Sequence, residues 1–183
     1  MTIFSVGSVS LSISQVNGLT LTSGDDHLYT HESYQNGGWH RAVIVKNQTM
    51  IALFIDARAW YMPCKTVALT GNLTLGGDML GNFFSGEIDE MSIWGRAKTA
   101  IQVEESNGHT YTGLESGLLA YYHFNNVSIT TSSFLVSQVS ETNISFRPSD
   151  LYQHSAPSYV PSTLEIGNEV EIKVWPSYYL DSI

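Results

Sequence analysis

Short runs in which apolar and polar side chains alternate recur along almost the whole chain, each closed off by Gly, Asn, Asp, Ser or Pro. SVSLSI, LTLT, RAVIVK, MIALFID, KTVAL, LTLGG, EMSIW, LLAYYHF, NISF and EVEIKVW are such runs. A two-residue period suits a strand with one buried face. Many short strands separated by turn residues predict an all-β chain, an antiparallel β-sandwich of jelly-roll type. The supply of Val, Ile, Thr and Tyr agrees with that reading.

The turns are legible too. Asn17-Gly18 in VNGLTLT predicts a hairpin closed by a type I′ turn, whose two central residues need φ > 0. KNQT, between RAVIV and MIALFID, predicts a second hairpin in the centre of a sheet. One short surface helix is expected in TAIQVEESNG. Thr99 stands where an N-cap belongs and Gln102 three residues on completes a capping box, while Asn107-Gly108 is a stop signal.

Charge narrows the function classes. The formal net charge is −9 over 183 residues, which argues against nucleic acid and anionic membrane surfaces as partners. Charged residues are 14%, well below the usual quarter, so solubility must come from Ser, Thr, Asn or attached sugar. Four N-x-[ST] sequons, at Asn47, Asn72, Asn126 and Asn143, offer sites for N-linked glycans. Together these features predict an extracellular or cell-surface glycoprotein. No run of 18 apolar residues is present, so no membrane span is expected. MTIFSVGSVSLSI lacks the basic and apolar regions of a signal peptide, which predicts a processed chain or a native start elsewhere. Cys64 stands alone, so no disulfide framework is expected, and a buried free thiol is the reading.

After Asn125 the texture changes. Residues 126–183 read as a Ser/Thr/Pro-rich linker followed by one good strand, Glu169, Val170, Glu171, Ile172, Lys173, Val174 and Trp175, with no partner in the remaining PSYYLDSI. A lone strand leaves its backbone groups unpaired, so this one must pair elsewhere.

Residues 1–125 read as one domain, and the part from about Gly37 to Asn125 carries a resemblance. GGWHRAVIVKNQTMIALFIDARAW resembles a pattern of Trp-His, strand, turn and a strand ending in Asp, with Trp39, His40 and Asp56 in those places. LTLGGDMLGNFFSGEIDEMSIWGRAKT resembles strand, Gly-rich loop, Phe-x-Gly-x-Ile-Asp-Glu, Ile-Trp and Arg-Ala; Gly86, Asp89, Glu90, Trp94 and Arg96 carry it. GLESGLLAYYHFN is similar to the strand that follows the short helix. The combination resembles the laminin G-like, pentraxin-like jelly roll of concanavalin A type. In such domains several strands precede the Trp-His stretch, so the sandwich is expected to lack N-terminal strands. Either the chain is a fragment, or the C-terminal segment completes a sheet, in its own domain or in a neighbour.

Three roles compete for the carboxylates of GEIDEMSIW. Glycosidases with this sandwich carry three on one strand face, and Glu87 and Asp89 have the spacing. Met91 and Ser92 stand where the third would be, so a glycosidase is only a minor alternative. A structural role needs a β-bulge near Asp89-Glu90, because Ile88, Met91 and Ile93 all want the core and break strict alternation. Arg96 is then a candidate partner for one carboxylate, and Trp94 a core aromatic with its N–H bonded. The resemblance also implies Ca²⁺ as a possible cofactor, held by acidic loops; Asp78 occupies the matching loop, with Asp25 and Asp26 as further candidates. Histidines 27 and 31 are not expected to converge, because HLYTH does not read as a helix.

These readings converge on a non-enzymatic, extracellular structural or adhesive module. Its expected partners are copies of itself or neighbouring domains of one surface or filamentous assembly, joined by terminal-strand exchange. The alternative is a Ca²⁺-dependent lectin-like binder of glycans, stacking sugars on Trp60, Tyr61, Tyr121 or Tyr122.

Overall fold

A computed structural model describes residues 1–63, 73–78, 80–112, 115–122, 124 and 169–176. Strands β1 (Thr2–Val6), β2 (Val9–Ser14), β3 (Gly18–Ser23), β4 (Asp26–Tyr29) and β8 (Leu73–Leu75) form one sheet, in the order β4-β3-β2-β1-β8. Strands β5 (His40–Lys46), β6 (Met50–Ile55), β7 (Arg58–Pro63), β9 (Gly86–Trp94), β10 (Leu118–Tyr122) and β11 (Glu169–Pro176) form the other, in the order β10-β9-β11-β5-β6-β7. Every described strand pairing is antiparallel. One apolar core joins the two sheets: Leu11, Leu19 and Leu21 from the first share a cluster with Ile44, Leu53 and Ile93 from the second.

The six-stranded sheet buries both of its faces at β5 and β6. Ala42 and Ile44 enter the main core, while Val43 and Val45 join Ala52 and Val103 in a second cluster on the outer face. RAVIV reads as a nearly unbroken apolar run for this reason. Val103 belongs to α1 (Ala100–Glu105), which has the expected capping box: the Gln102 N–H donates to the Thr99 side chain, and the Gln102 side chain accepts from the Thr99 N–H. Buried Arg41 clips the helix to the sheet, donating to the Val103 carbonyl at 2.9 Å and to Ser106 Oγ at 2.8 Å.

One expectation needs correction. The β2–β3 hairpin exists, but Ser14 pairs with Gly18, so its loop is Gln15–Asn17 and only Gly18 has positive φ there, +66°. A two-residue type I′ turn would need the left-handed region at Asn17 as well. Four strands precede Trp39, and β10 and β11 enter the second sheet from later in the chain. The runs KTVAL and NISF, Cys64, and the sequons at Asn72, Asn126 and Asn143 lie outside the described residues. Among the described residues, no helix is long and apolar enough to cross a membrane.

Candidate functional site: the slot between β5 and β9

Strand β11 lies between β5 and β9, in the interior of the six-stranded sheet. Against β5 it keeps an unbroken one-to-one register, from Glu169 opposite Val45 to Val174 opposite His40. Val170 thereby falls beside Ile44 and Ile93, and Val174 beside His40 and Ile88. Glu171 falls beside Val43 and Ser92, and Lys173 beside Arg41 and Asp89. The alternation of EVEIKVW thus matches the alternation of its neighbours between core face and outer face.

The wall made by β9 is bulged. Glu171 is opposite Ser92 and Lys173 opposite Asp89, so Ile172 alone spans Glu90 and Met91. Glu90 has φ +53°, the left-handed region that one type of β-bulge uses, there usually with Gly. The bulge lets Ile88 and Met91 both reach the main core, as the sequence pattern requires. Its backbone is bonded locally, with the Glu90 N–H donating to Asp89 Oδ1 at 3.0 Å.

The Glu90 carboxylate is buried on the outer face, where it accepts a hydrogen bond from the Tyr121 hydroxyl of β10. Tyr121 meets Tyr111 edge-on at 5.2 Å, and Tyr111 meets Trp94 edge-on at 5.1 Å. Trp94 Nε1 donates to Ser92 Oγ at 3.0 Å, and buried Lys98 sets its ammonium 3.9 Å from the Trp94 ring centroid. Burial, then the neighbouring Glu90 carboxylate, pushes the Tyr121 phenol far above its usual range. Tyr121, not Arg96, therefore partners Glu90; Arg96 is exposed and lies along Gly117.

The other wall is fixed by a corner at its base. His40 Nδ1 lies 2.9 Å from Asp56 Oδ2, and His40 Nε2 lies 2.9 Å from Asn36 Oδ1. The Arg41 N–H donates to Asp56 Oδ1 at 2.9 Å. Trp39 is half-buried beside this corner in sequence, and Gly86, at the foot of β9, pairs with Pro176.

The remaining expected site residues are dispersed. Asp78 sits in the loop after β8, where Oδ1 accepts from the Leu80 and Asn82 N–H groups and Oδ2 from Thr2 Oγ1 and Asn82 Nδ2. Its lone pairs are committed to holding the loop. Asp25 and Asp26 lie at the β3–β4 turn, at the opposite edge of that sheet. These three aspartates do not fit a shared Ca²⁺ site, and the described residues contain no group of three or more His, Cys, Asp or Glu that would hold a metal. Asp89 is 2% exposed and Met91 is at 0%, so the GEIDEM strand does not present a row of three carboxylates.

Among the aromatic candidates, Tyr121 and Tyr122 are buried, which removes them as sugar platforms. Trp60 is half-buried against the core, whereas Tyr61 is 53% exposed. The sequence reading missed a second exposed row: His27 stacks on Tyr29 at 6.1 Å and Tyr29 meets His31 at 5.6 Å. Their i, i+2 spacing, along β4 for His27 and Tyr29 and just past its end for His31, was the available signal. Asn47 is exposed in the β5–β6 turn, with its Oδ1 accepting from the Thr49 N–H and hydroxyl and from the Met50 N–H.

Comparison with known proteins agrees with this architecture. A family model described as the Concanavalin A-like lectin/glucanases superfamily matches residues 2–104. No curated protein and no solved structure matches the chain. The matched stretch spans more than half the sequence and stops inside α1, before β10 and β11. The chain belongs to the Concanavalin A-like lectin/glucanases superfamily, as a laminin G-like jelly-roll domain.

Proposed function

We propose that this domain is an extracellular structural or adhesive module, a subunit of a surface or filamentous assembly whose copies join by exchanging β11. One observation carries the reading: the strand that completes the six-stranded sheet comes from beyond the family-matched stretch and enters the middle of the sheet. Without β11, β5 and β9 would face each other with unpaired N–H and C=O groups, a template for any strand of matching pattern. The long stretch between Tyr122 and Glu169 leaves room for the strand to close its own sandwich or a neighbour's. Repeated donation from copy to copy is a heterologous contact and builds open chains. The low charged fraction, 14%, and the exposed Asn47 sequon support an extracellular, glycosylated setting.

The test is the mass of the purified chain by light scattering over a concentration series. The expected result is a set of species that are multiples of the 20.2 kDa chain mass, plus any attached glycan, and that redistribute slowly after dilution. A sharp monomer at every concentration overturns the exchange reading.

The exposed rings favour a second reading, glycan binding on the outer faces of the edge strands. Tyr61 on β7 and the His27–Tyr29–His31 row at β4 and just past its end offer apolar ring surface beside polar groups. Glycan-array binding that is lost in Tyr61→Ala or Tyr29→Ala would support it; an array with no signal would end it.

A further inference from the structure

We infer that the β5–β9 slot accepts its strand in one register, and that Lys173 opposite Asp89 is the residue that sets it. The identity of the strand's donor, a second copy, rests on the exchange reading above; the register does not. β5 alone would not fix it, because a shift by two residues preserves the inside–outside alternation. The ends of the strand limit such shifts. In one direction, Pro176 would move to the position of Val174, between His40 and Ile88, where a residue without an N–H breaks a ladder bond. In the other direction, Asn168 would move to the position of Val170, beside Ile44 and Ile93, both core residues.

The charges discriminate in the same sense. In the observed register a basic residue stands opposite buried Asp89, and Glu169 and Glu171 stand opposite no acidic residue. The second shift would put Glu171 opposite Asp89 and Lys173 opposite Glu87, leaving two acids face to face at the buried level. On the far side of that level stands Arg41, whose guanidinium donates to the Val103 carbonyl and to Ser106 Oγ. The bulge at Glu90, braced by Tyr121, keeps Asp89 and Ser92 at successive outer-face levels of the slot. The slot therefore reads a strand of three alternating apolar residues with a cation between the second and third.

Disulfide trapping in the full chain tests this, in a Cys64→Ser background. Glu169→Cys with Val45→Cys reports the observed register, and Glu169→Cys with Val43→Cys reports the shift by two. The first pair is expected to form about tenfold more crosslink than the second. Exchanging the two charges, Glu171→Lys with Lys173→Glu, should bring that ratio close to one, while Lys173→Arg should keep it. Equal crosslinking of both pairs in the parent, or an unchanged ratio after the charge exchange, overturns the inference. The same gels separate the two readings. Crosslinks found only within single chains count against exchange between copies, yet leave the register assignment standing.

Discussion

His40 Nδ1 and Asp56 Oδ2 lie 2.9 Å apart and tie the first residue of β5 to the residue just past β6. Asp56 holds φ +53°, a value that Asp and Asn tolerate better than other side chains, and its second oxygen takes the Arg41 N–H. Asp56→Ala should therefore lose two hydrogen bonds and gain backbone strain, at a cost of about 2–3 kcal/mol. Asp56→Asn should cost less. Urea midpoints of the two variants check the order; equal losses would refute the role of the retained acceptor oxygen and of the left-handed backbone.

Acid should destabilise the domain through two carboxyls. Burial opposes ionisation of Asp56, but hydrogen bonds from His40 and the Arg41 N–H outweigh it and lower its pKa below 3.8. At Asp78 burial again opposes, and bonds from Asn82, Thr2 and Leu80 bring the pKa down to about 2. Depressed carboxyls contribute stability that is complete above the unfolded value and is lost as pH falls through the folded one. Stability should therefore drop between about pH 4 and pH 2, more gently in Asp78→Asn. Denaturant titrations across that window decide it.

Alkali should act through tyrosines. Burial raises Tyr122 to about 12; at Tyr34, burial and then the Glu32 charge do the same. Raised groups contribute stability that is present below the unfolded value and lost as pH rises, so the loss should fall between about pH 10 and 12. The Tyr122 hydroxyl is buried with no partner among the described residues. Tyr122→Phe should add about 1 kcal/mol at neutral pH and soften the alkaline loss. Phenolate absorbance followed alongside circular dichroism checks both.

Two glycines with similar φ make a matched pair. A Cβ at Gly18 would collide with the Glu32 carbonyl and the Thr30 hydroxyl, whereas one at Gly76 meets nothing within 4 Å. Both positions have left-handed φ, so Gly76→Ala measures the backbone cost alone, about 1 kcal/mol. Gly18→Ala should cost distinctly more, about 2–4 kcal/mol, because strain at a turn adds to steric overlap. Thermal melts of the pair give the difference directly.

Local chemistry was readable where the signal and the consequence sit close together in the chain. The spacing of Ile88, Met91 and Ile93 demands a bulge, and Glu90 makes it. Thr99 and Gln102 specify their cap within one helical turn. Strand β1 escaped because TIFSV is buried at four of five positions and so does not alternate; β4 escaped because DHLY has no buried residue. Long-range partners were not readable at all. Nothing in the sequence around Glu90 points to Tyr121 rather than Arg96, and nothing in EVEIKVW names β5 and β9 as its neighbours. Those pairings are properties of the closed sheet. Asp78 was a candidate ligand because the resemblance places it in the matching Gly-rich loop, but its own neighbours use up its oxygens.

The position of β11 also sets a timetable. The two strands that flank the slot are made early, and the strand that fills it is made after a long intervening stretch. A ribosome emitting about 5–20 residues each second leaves β5 and β9 unfilled for seconds. During that interval the nascent domain is a half-zipped sheet with two live edges. Whatever strand is nearby when the edges are open, from the same polypeptide or from the next one emerging alongside, competes for the place. Crowding on a polysome would then bear on whether chains leave synthesis singly or already linked.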